Sequence, residues 1–253
     1  MVRLTLILLF VCQLTFGQGI LVGNFNQAEQ DVYPTQSLLA YWPFDVNATD
    51  YANSYDLTVY NSPVLVDGHR NDCYDFGGND SLDYMTVNHS YDLAILGNPG
   101  TSSITISLWV KLDTKAYSQF FMLNGEGNTA GALNYGVSYN QTQDLFRWNG
   151  NNAAGTVKNI YATTFGSPSI DTWYFITCYY SHAGDSMGIS INNGTFDVLT
   201  SVGGHKSAGP TTLGIGNGGN AQTAGIYPNA KIDEIFIYSK VLEADSITFL
   251  YNR

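Results

Sequence analysis

The chain has 253 residues, of which 12% are charged, about half the fraction found in an average soluble domain. Aromatic residues make up 14%, and 26 glycines supply turns, so the composition excludes a disordered chain. With 10 basic and 21 acidic residues, the formal net charge of −11 has the wrong sign for binding a phosphate backbone or an anionic membrane surface. Nucleic acid is therefore not expected as a partner.

The first 17 residues have the pattern of a secretory signal peptide. Arg3 precedes an apolar run, Leu4–Val11, and the small residues Thr15 and Gly17 stand before the expected cleavage point. The run is well short of the roughly 20 residues that span a bilayer. We therefore expect residues 1–17 to be removed and the protein to be secreted without membrane insertion. Cleavage removes one of the ten basic residues and none of the 21 acidic ones, which gives a net charge of −12.

Residues 18–37 stand apart from the pattern that follows them. A short apolar run, Gln18–Phe25, leads into the polar run Asn26–Asp31. We expect this segment to be a strand or loop of its own domain. The alternative is an N-terminal arm that adds a strand to an exposed sheet edge of another copy, since unpaired edges bind extra strands.

From Leu38 onward, short runs of β-branched and aromatic residues alternate with clusters of turn-forming residues. Regular spacing of this kind predicts an all-β protein, a two-sheet antiparallel sandwich. One short helix is predicted near the C-terminus, at Leu242–Tyr251, where Ile247 and Leu250 share a face. The predicted strands are Leu38–Phe44, Leu57–Tyr60, Tyr84–Val87, Ile104–Leu112, Phe120–Leu123, Tyr135–Tyr139, Leu145–Trp148, Trp173–Tyr180, Gly188–Ile191 and Ile232–Tyr238.

Two cysteines remain after cleavage, Cys73 and Cys178. In an oxidising compartment an isolated pair of cysteines predicts one disulfide. The bridge would close a loop of about a hundred residues and add on the order of 4 kcal/mol to the free energy of unfolding. The alternative is a pair of buried thiols that never meet, because the sequence does not say whether their Cα atoms approach each other.

Five sequons could carry N-linked glycans in a secreted eukaryotic chain. A chain rich in Asn, Ser and Thr contains about this number by chance, so the sequons permit glycosylation without demonstrating it. The candidate sites are Asn47, Asn79, Asn88, Asn140 and Asn193.

Several motifs follow one another in a characteristic order. They are a Tyr/Trp-rich strand that ends in Phe-Asp (Ala40–Asp45), a Phe-x-Gly strand with a polar turn (Tyr74–Asp80), a Thr-Ile-Ser-x-Trp-Val-Lys strand (Thr105–Lys111), a strand that begins with Trp (Trp173–Tyr180) and a closing Ile-Asp-Glu strand (Ala230–Tyr238). Together they resemble the concanavalin A-like, laminin-G-like jelly rolls, a group that includes the pentraxins. The resemblance implies one jelly-roll domain over residues 38–253. It permits a glycan-binding module, an adhesion domain or an attachment on an enzyme.

An enzymatic role is not expected. Glycoside cleavage needs two carboxyl groups that flank the scissile bond, and the Glu-x-Asp-x-Glu strand of related glucanases has no counterpart here. Asp233 and Glu234 are adjacent, so regular strand geometry predicts that they point to opposite faces. The four histidines lack metal-ligand spacing, and the glycine-rich Gly214–Gly219 precedes a loop instead of a helix.

The resemblance also implies a calcium ion where an early Asp/Asn loop meets the strand that carries a late Asp. The matching positions are Asp50, Asn53 and Asp233, and oxygen ligands of this kind suit Ca²⁺. The usual Asp-x-Ser-Gly-Asn loop is replaced here by Asp-Tyr-Ala-Asn-Ser, which lacks the glycine. The alternative is a set of solvated loop acids with one Asp that caps a turn.

Asp80 and Asp83 form a second, weaker candidate for a calcium site, for which a polar turn is the alternative.

Trp148 and Asn149 are the candidate glycan-binding residues, since a Trp at a strand end beside a polar loop can stack on a sugar ring. The alternative is that Trp148 packs inward.

The sequence thus predicts a secreted, non-enzymatic binding or adhesion domain for glycans or extracellular matrix. The competing hypothesis is an extracellular structural subunit that assembles into a filament or coat through its N-terminal arm or its sheet edges.

Overall fold

The computed structural model describes residues 33–88, 93–94, 102–125, 133–206, 212–217 and 227–253. Contacts divide the chain into two units, residues 1–36 and 37–253, and only residues 33–36 of the first unit are described. The predicted signal peptide and most of the predicted N-terminal arm therefore lie outside the described residues. No helix in the described part of the chain is long and apolar enough to cross a membrane.

Fifteen strands and one helix make up the described part of residues 37–253. A short 3₁₀ turn, Gly78–Asp80, follows the fourth strand. The elements are β1 (Leu38–Trp42), β2 (Thr58–Tyr60), β3 (Val64–Asp67), β4 (Asp72–Gly77), β5 (Tyr84–Asn88), β6 (Ile104–Leu112), β7 (Gln119–Gly125), β8 (Leu133–Asn140), β9 (Leu145–Asn151), β10 (Val157–Tyr161), β11 (Trp173–Ser181), β12 (Ser186–Ile191), β13 (Asp197–Thr200), β14 (Thr212–Ile215), β15 (Asn229–Tyr238) and α1 (Ala244–Tyr251).

The strands form two antiparallel sheets. The eight-stranded sheet has the order β13-β12-β11-β6-β15-β4-β3, and β1 also pairs with β15. The seven-stranded sheet has the order β10-β9-β8-β7-β14-β5-β2. These sheets and the C-terminal helix confirm the predicted all-β sandwich.

The inner faces of the two sheets enclose one hydrophobic core. On β6, Ile106, Leu108 and Val110 belong to this core, while the alternate residues Ser107 and Trp109 do not. This is the period of two expected of a strand with one face in the core. The core continues across β11 and β15 and meets side chains from the seven-stranded sheet such as Phe121, Val137 and Phe146.

A second, aromatic layer covers the outer face of the eight-stranded sheet. Tyr251 of α1 packs on Trp109 and Phe175, with ring centroids 5.6 and 5.8 Å apart. Farther along the same face, Tyr41 of β1 stacks on Phe236 of β15 at 4.1 Å. Aromatic pairs of this kind add stability beyond the area that they bury. The layer accounts for part of the high aromatic content of the chain.

The predicted disulfide is wrong, because Cys73 and Cys178 are both free and buried. Cys73 lies on β4 and Cys178 on β11, with β15 and β6 between them in the same sheet. Adjacent strands are about 4.8 Å apart, which separates the two backbones by roughly 14 Å, too far for a bridge. Cys178 also faces the core, whereas Cys73 lies near Asp233 and Lys231 on the outer face.

Candidate functional site

Asp50, the first predicted calcium ligand, binds backbone N–H groups with both of its oxygens. Oδ1 accepts hydrogen bonds from Tyr41 and Ala52 at 2.9 Å each. Oδ2 accepts from Asn53 at 3.1 Å and from Tyr55 at 3.0 Å. The buried carboxylate therefore organises its own loop and holds it against β1.

The same loop caps the edge of β1. Nδ2 of Asn53 donates to the carbonyl oxygen of Leu39 at 2.7 Å, and the Tyr51 N–H donates to the carbonyl oxygen of Tyr41 at 2.8 Å. Together with Asp50, these contacts occupy polar backbone groups that an edge strand would otherwise present to other chains. Asp50 and Asn53 thus act as an edge cap in the structure.

Asp233, the third predicted ligand, is fully buried on β15. Its Oδ2 accepts backbone hydrogen bonds from His69 at 2.9 Å and Arg70 at 3.0 Å, and its Oδ1 has no hydrogen-bond partner. The approach of this loop requires Gly68, since a Cβ there would lie 2.7 Å from Oδ2 of Asp233. Burial raises the pKa of Asp233 to about 8, against the opposing effect of the Arg70 N–H, and the neighbouring Glu234 raises it further.

The donor sets at these positions do not fit calcium. A Ca²⁺ ion needs six to eight oxygen ligands that can turn toward it, but the oxygens of Asp50 and Oδ2 of Asp233 already accept backbone N–H groups. Within the described ranges, no group of three or more His, Cys, Asp or Glu side chains could hold a metal ion. Asp83 likewise accepts backbone hydrogen bonds from Ser62 and Gly77, as a polar turn requires.

Asp233 and Glu234 do not point to opposite faces as predicted. The register of β15 against β6 shifts between Asp233 and Phe236, and Glu234 has φ of 50°. A β-bulge of this kind inserts an extra residue and redirects its side chain. Both carboxylates consequently lie buried against the outer aromatic layer, where Glu234 accepts a hydrogen bond from the Tyr41 hydroxyl at 3.0 Å.

Trp148 is fully buried, so its predicted role as a sugar platform is wrong. It belongs to the core between the sheets, 5.5 Å from the ring of Tyr135, and its Nε1 donates to the carbonyl oxygen of Tyr179 at 3.1 Å. Asn149 is fully buried on the opposite face of β9. The inward-packing alternative describes Trp148 correctly, because an alternating strand places it among the core residues.

The sequons differ in exposure. Asn47 is exposed, and three others are half-buried, namely Asn79, Asn140 and Asn193. Nδ2 of Asn193, the atom that would carry a glycan, donates to Oγ1 of Thr248 on α1 at 3.0 Å. The side chain of Asn88 lies outside the described part of the chain. Glycosylation stays a prediction, and Asn47 is the best-placed of the described sites.

A concave site that the sequence analysis did not identify lies at one rim of the sandwich. It has a volume of about 500 Å³, and we call it the rim pocket. Most of its lining comes from the β2–β3 connection, the end of β4 and the start of β15. The lining residues are Asn61, Ser62, Val64, Asp75, Gly77, Ser81, Asp83, Asp113 and Asn229.

The charges of the rim pocket are linked through Lys231. Its ammonium donates to both oxygens of Asp113 at 2.9 Å and lies 3.2 Å from Oδ2 of Asp75. Burial lowers the pKa of Lys231, but the hydrogen bonds to Asp113 and Asp75 outweigh this effect and raise it above the ordinary value. One ammonium group thereby links both carboxylates at the wall of the pocket.

Backbone contacts hold the other walls in place. Asp83 joins the two sides of the pocket by accepting N–H bonds from Ser62 at 3.0 Å and Gly77 at 3.1 Å. The backbone N–H of Asn229 donates to Oε1 of Gln119 at 2.9 Å, and its carbonyl oxygen accepts from the Asp113 N–H at 3.0 Å. The pocket is thus formed by groups whose positions the fold already fixes.

The lining is suited to hydrogen bonding with hydroxyl groups. Carboxylate and amide oxygens accept hydrogen bonds and amide nitrogens donate them, and a sugar offers both kinds of partner. Asp75 and Asp113 share one lysine, which fixes both carboxylates beside the same cation. Asp75 and Asp113 are separated in sequence and Lys231 lies on a third strand, so no sequence motif marks them as one site.

Several solved structures share this fold. The binding domain of Paraclostridial Mosquitocidal Protein 1 has a TM-score of 0.66 and 16% identity, covering 86% of this chain and 52% of that one. The receptor binding domain of botulinum neurotoxin D has a TM-score of 0.63 and 16% identity, covering 86% and 53%. The binding domain of botulinum neurotoxin DC, solved in complex with SialylT, has a TM-score of 0.61 and 14% identity, covering 86% and 52%.

At these identities the likeness shows the fold alone, and the chain spans about half the length of those structures. No curated protein sequence matches this chain. The Laminin_G_3 family model, described as the concanavalin A-like lectin/glucanases superfamily, matches residues 79–248. That match covers more than half of the chain and agrees with the two-sheet sandwich. The chain therefore belongs to the concanavalin A-like lectin/glucanases superfamily.

Proposed function

We propose that this chain is a secreted, non-enzymatic binding domain that recognises carbohydrate in the rim pocket. The observation that carries the proposal is the pocket itself, a concave site of about 500 Å³ with carboxylate and amide groups converging on it. Small-ligand sites are concave and place a few polar groups precisely enough to fix orientation. Glycans of cell surfaces or of the extracellular matrix are the ligands that such a domain would meet.

The superfamily and its structural neighbours support a binding role. The solved neighbours include a toxin binding domain in complex with SialylT and one in complex with rat synaptotagmin II. Those ligands belong to the toxins, and identities of 14% transfer neither of them to this chain. The part that resembles this chain is about half of each toxin domain, so the likeness supports a binding role only through the shared fold.

Electrostatics supports binding without catalysis. Lys231 neutralises part of the charge of Asp75 and Asp113, and Asp83 is occupied by backbone N–H groups. A glycosidase needs one protonated and one ionised carboxyl group at a defined separation. The rim pocket instead offers several fixed hydrogen-bond acceptors beside one shared cation. Such a lining holds a polyhydroxylated ligand without a group poised to cleave it.

An array of immobilised glycans tests the proposal directly. The wild-type chain is expected to be retained on at least one glycan class, and Ser62→Arg is expected to abolish retention by filling the pocket with a long side chain. Ser169→Arg is the matched control, since Ser169 is also an exposed loop serine but does not line the pocket. The absence of wild-type binding to any glycan would contradict the proposal. Equal retention of both variants would place the glycan site elsewhere and contradict it too.

A further inference from the structure

The two sheets expose bare edges at one rim of the sandwich. Among the residues that the structure describes, β2 pairs only with β5 at the edge of the seven-stranded sheet, and β3 pairs only with β4 at the edge of the eight-stranded sheet. All three residues of β2 are exposed, as are three of the four residues of β3. An exposed edge strand presents unpaired backbone N–H and C=O groups and can accept another strand.

The side chains along these edges are apolar and uncharged. Val59 is 42% exposed, Tyr60 40%, Val64 59% and Leu65 36%. The nine residues 58–66 contain no charged side chain, in a chain whose net charge is −11. Natural edge strands usually carry a lysine, a proline within the strand or an inward charge that discourages pairing. Neither β2 nor the first three residues of β3 has such protection.

Parts of two other edges, β1 and the start of β13, are tied to loops of the protein. The Asp50 loop caps β1, as described above. At the opposite rim, the Asp197 carboxylate of β13 accepts hydrogen bonds from the Thr163 hydroxyl at 2.6 Å and from the Thr164 N–H at 2.9 Å. These bonds tie the start of β13 to the loop that follows β10. The protein thus ties β1 and the start of β13 to its own loops.

We propose that two copies of this chain associate edge to edge, with β3 of one copy pairing antiparallel with β3 of the other. A two-fold axis at Leu65 places Leu65 opposite itself in the other copy, Val64 opposite Val66 and Asp67 opposite Pro63. This register is self-complementary, as a two-fold interface requires, and sets no two carboxylates opposite each other. Residues 58–66 carry no charge, so the apolar residues that face each other across the axis do not repel one another. The inference does not depend on carbohydrate binding.

The pairing would join the two eight-stranded sheets into one continuous sheet. The rim pocket begins at Val64, at the end of β3, so a dimer would bring two pockets beside one interface. Two sites on one particle raise the avidity for a repeating or surface-bound ligand without any new contact to it. The edge pairing therefore offers a way to strengthen a weak individual site.

Sedimentation equilibrium of the full chain tests the pairing. Between about 1 and 100 μM, where micromolar dissociation constants are measurable, the wild type is expected to pass from monomer to dimer. Leu65→Lys is expected to weaken the dimer about tenfold or more, because it places an ammonium group in the apolar interface. Val198→Lys is the matched control, since Val198 is 49% exposed on the edge strand β13. This variant is expected to dimerise like the wild type.

Three outcomes would overturn the proposal. They are a wild-type chain that stays monomeric throughout this range, a dimer that both lysine variants retain unchanged, and a dimer that deletion of residues 18–30 abolishes. The last result would mean that the N-terminal arm, and not β3, forms the contact.

Hydrogen exchange of the wild type gives a reading that does not depend on how a variant folds. The amides of β3 are expected to gain protection as the protein concentration rises, and unchanged protection would contradict the pairing.

Discussion

Arg253 pairs with Glu234 beneath the surface of the domain, with Nη1 2.5 Å from Oε2 and both side chains almost fully buried. The guanidinium lies over the rings of Tyr41 and Phe236, 5.0 and 5.3 Å from their centroids. Stacking and bidentate recognition are the contacts for which arginine is suited. The bulge in β15 is what brings Glu234 to this position, so the bulge, the carboxylate and the arginine form one structural unit.

Removing one member of this pair is expected to destabilise the fold strongly. Glu234→Gln keeps the shape of the side chain but leaves the buried guanidinium without its counter-ion, a change that costs about 3 kcal/mol or more. Urea unfolding measures the loss. The double variant Glu234→Leu with Arg253→Met removes both charges and is expected to be more stable than Glu234→Gln. A single variant as stable as the wild type would mean that the pair contributes no net stability.

Asp233 is expected to make the stability fall as the pH rises. Burial raises its pKa to about 8 from about 3.9 in an unfolded chain, so the folded state holds a proton that the unfolded state releases over that interval. The stability that this group contributes is complete below about pH 4 and is lost as the pH approaches 8. Each unit of difference between the folded and unfolded pKa changes the free energy of unfolding by about 1.4 kcal/mol.

Asp233→Asn isolates this effect, because the amide is neutral at every pH and its oxygen can still accept the His69 and Arg70 N–H bonds. Thermal unfolding from pH 4 to 9 is the measurement. The difference in stability between variant and wild type is expected to grow in favour of the variant as the pH rises. A pH-independent difference would show that Asp233 does not titrate in this range.

The sequence predicted the regular parts of the fold well for a physical reason. β6 was located from end to end, because the first half of Ile104–Leu112 alternates apolar with small polar residues and the second half stays rich in apolar residues. α1 begins two residues after its predicted start. β3, β10, β13 and β14 were missed, since strands of four or five residues are too short for that alternation to show. A strand period fixes the face of each side chain only while the strand is regular. Glu234 shows the limit, because its bulge depends on pairing with distant strands.

The candidate site was harder to predict than the fold. Asp50 and Asn53 were predicted as calcium ligands, whereas the structure shows them hydrogen-bonded to the backbone of their own loop and of β1. The sequence could not distinguish metal ligands from backbone caps. The rim pocket depends on Asp75, Asp113 and Lys231, which meet only because β4, β6 and β15 are neighbours in one sheet. Strand order is set by the packing of the whole sandwich, and no local motif encodes it.

Cys73 and Cys178, the two cysteines that remain once residues 1–17 are removed, are expected to be free thiols that react only after unfolding. Burial raises the pKa of Cys73 to about 12 and that of Cys178 well above its ordinary value, so little thiolate forms near neutral pH. Alkylation with iodoacetamide followed by mass measurement checks this. No modification is expected in the native protein, and two modified thiols are expected in denaturant without reductant. A chain that needs a reductant before it reacts would contain the bridge that the structure excludes.

Asp50→Ala separates an edge cap from a calcium ligand. The substitution leaves four backbone N–H groups without their acceptor, among them that of Tyr41, and hydrogen bonds to a charged group contribute about 1.5–3 kcal/mol each. We expect a loss of stability of about 3 kcal/mol or more, because the loop can recover some of these bonds with water.

Thermal unfolding in EDTA and in excess Ca²⁺ is the measurement, with the wild type measured in parallel. If Asp50 is a cap, the variant is destabilised equally in both buffers and the wild type melts at the same temperature in each. A wild-type chain that melts higher in Ca²⁺, with the gain lost in Asp50→Ala, would show that this loop binds calcium after rearranging its backbone contacts.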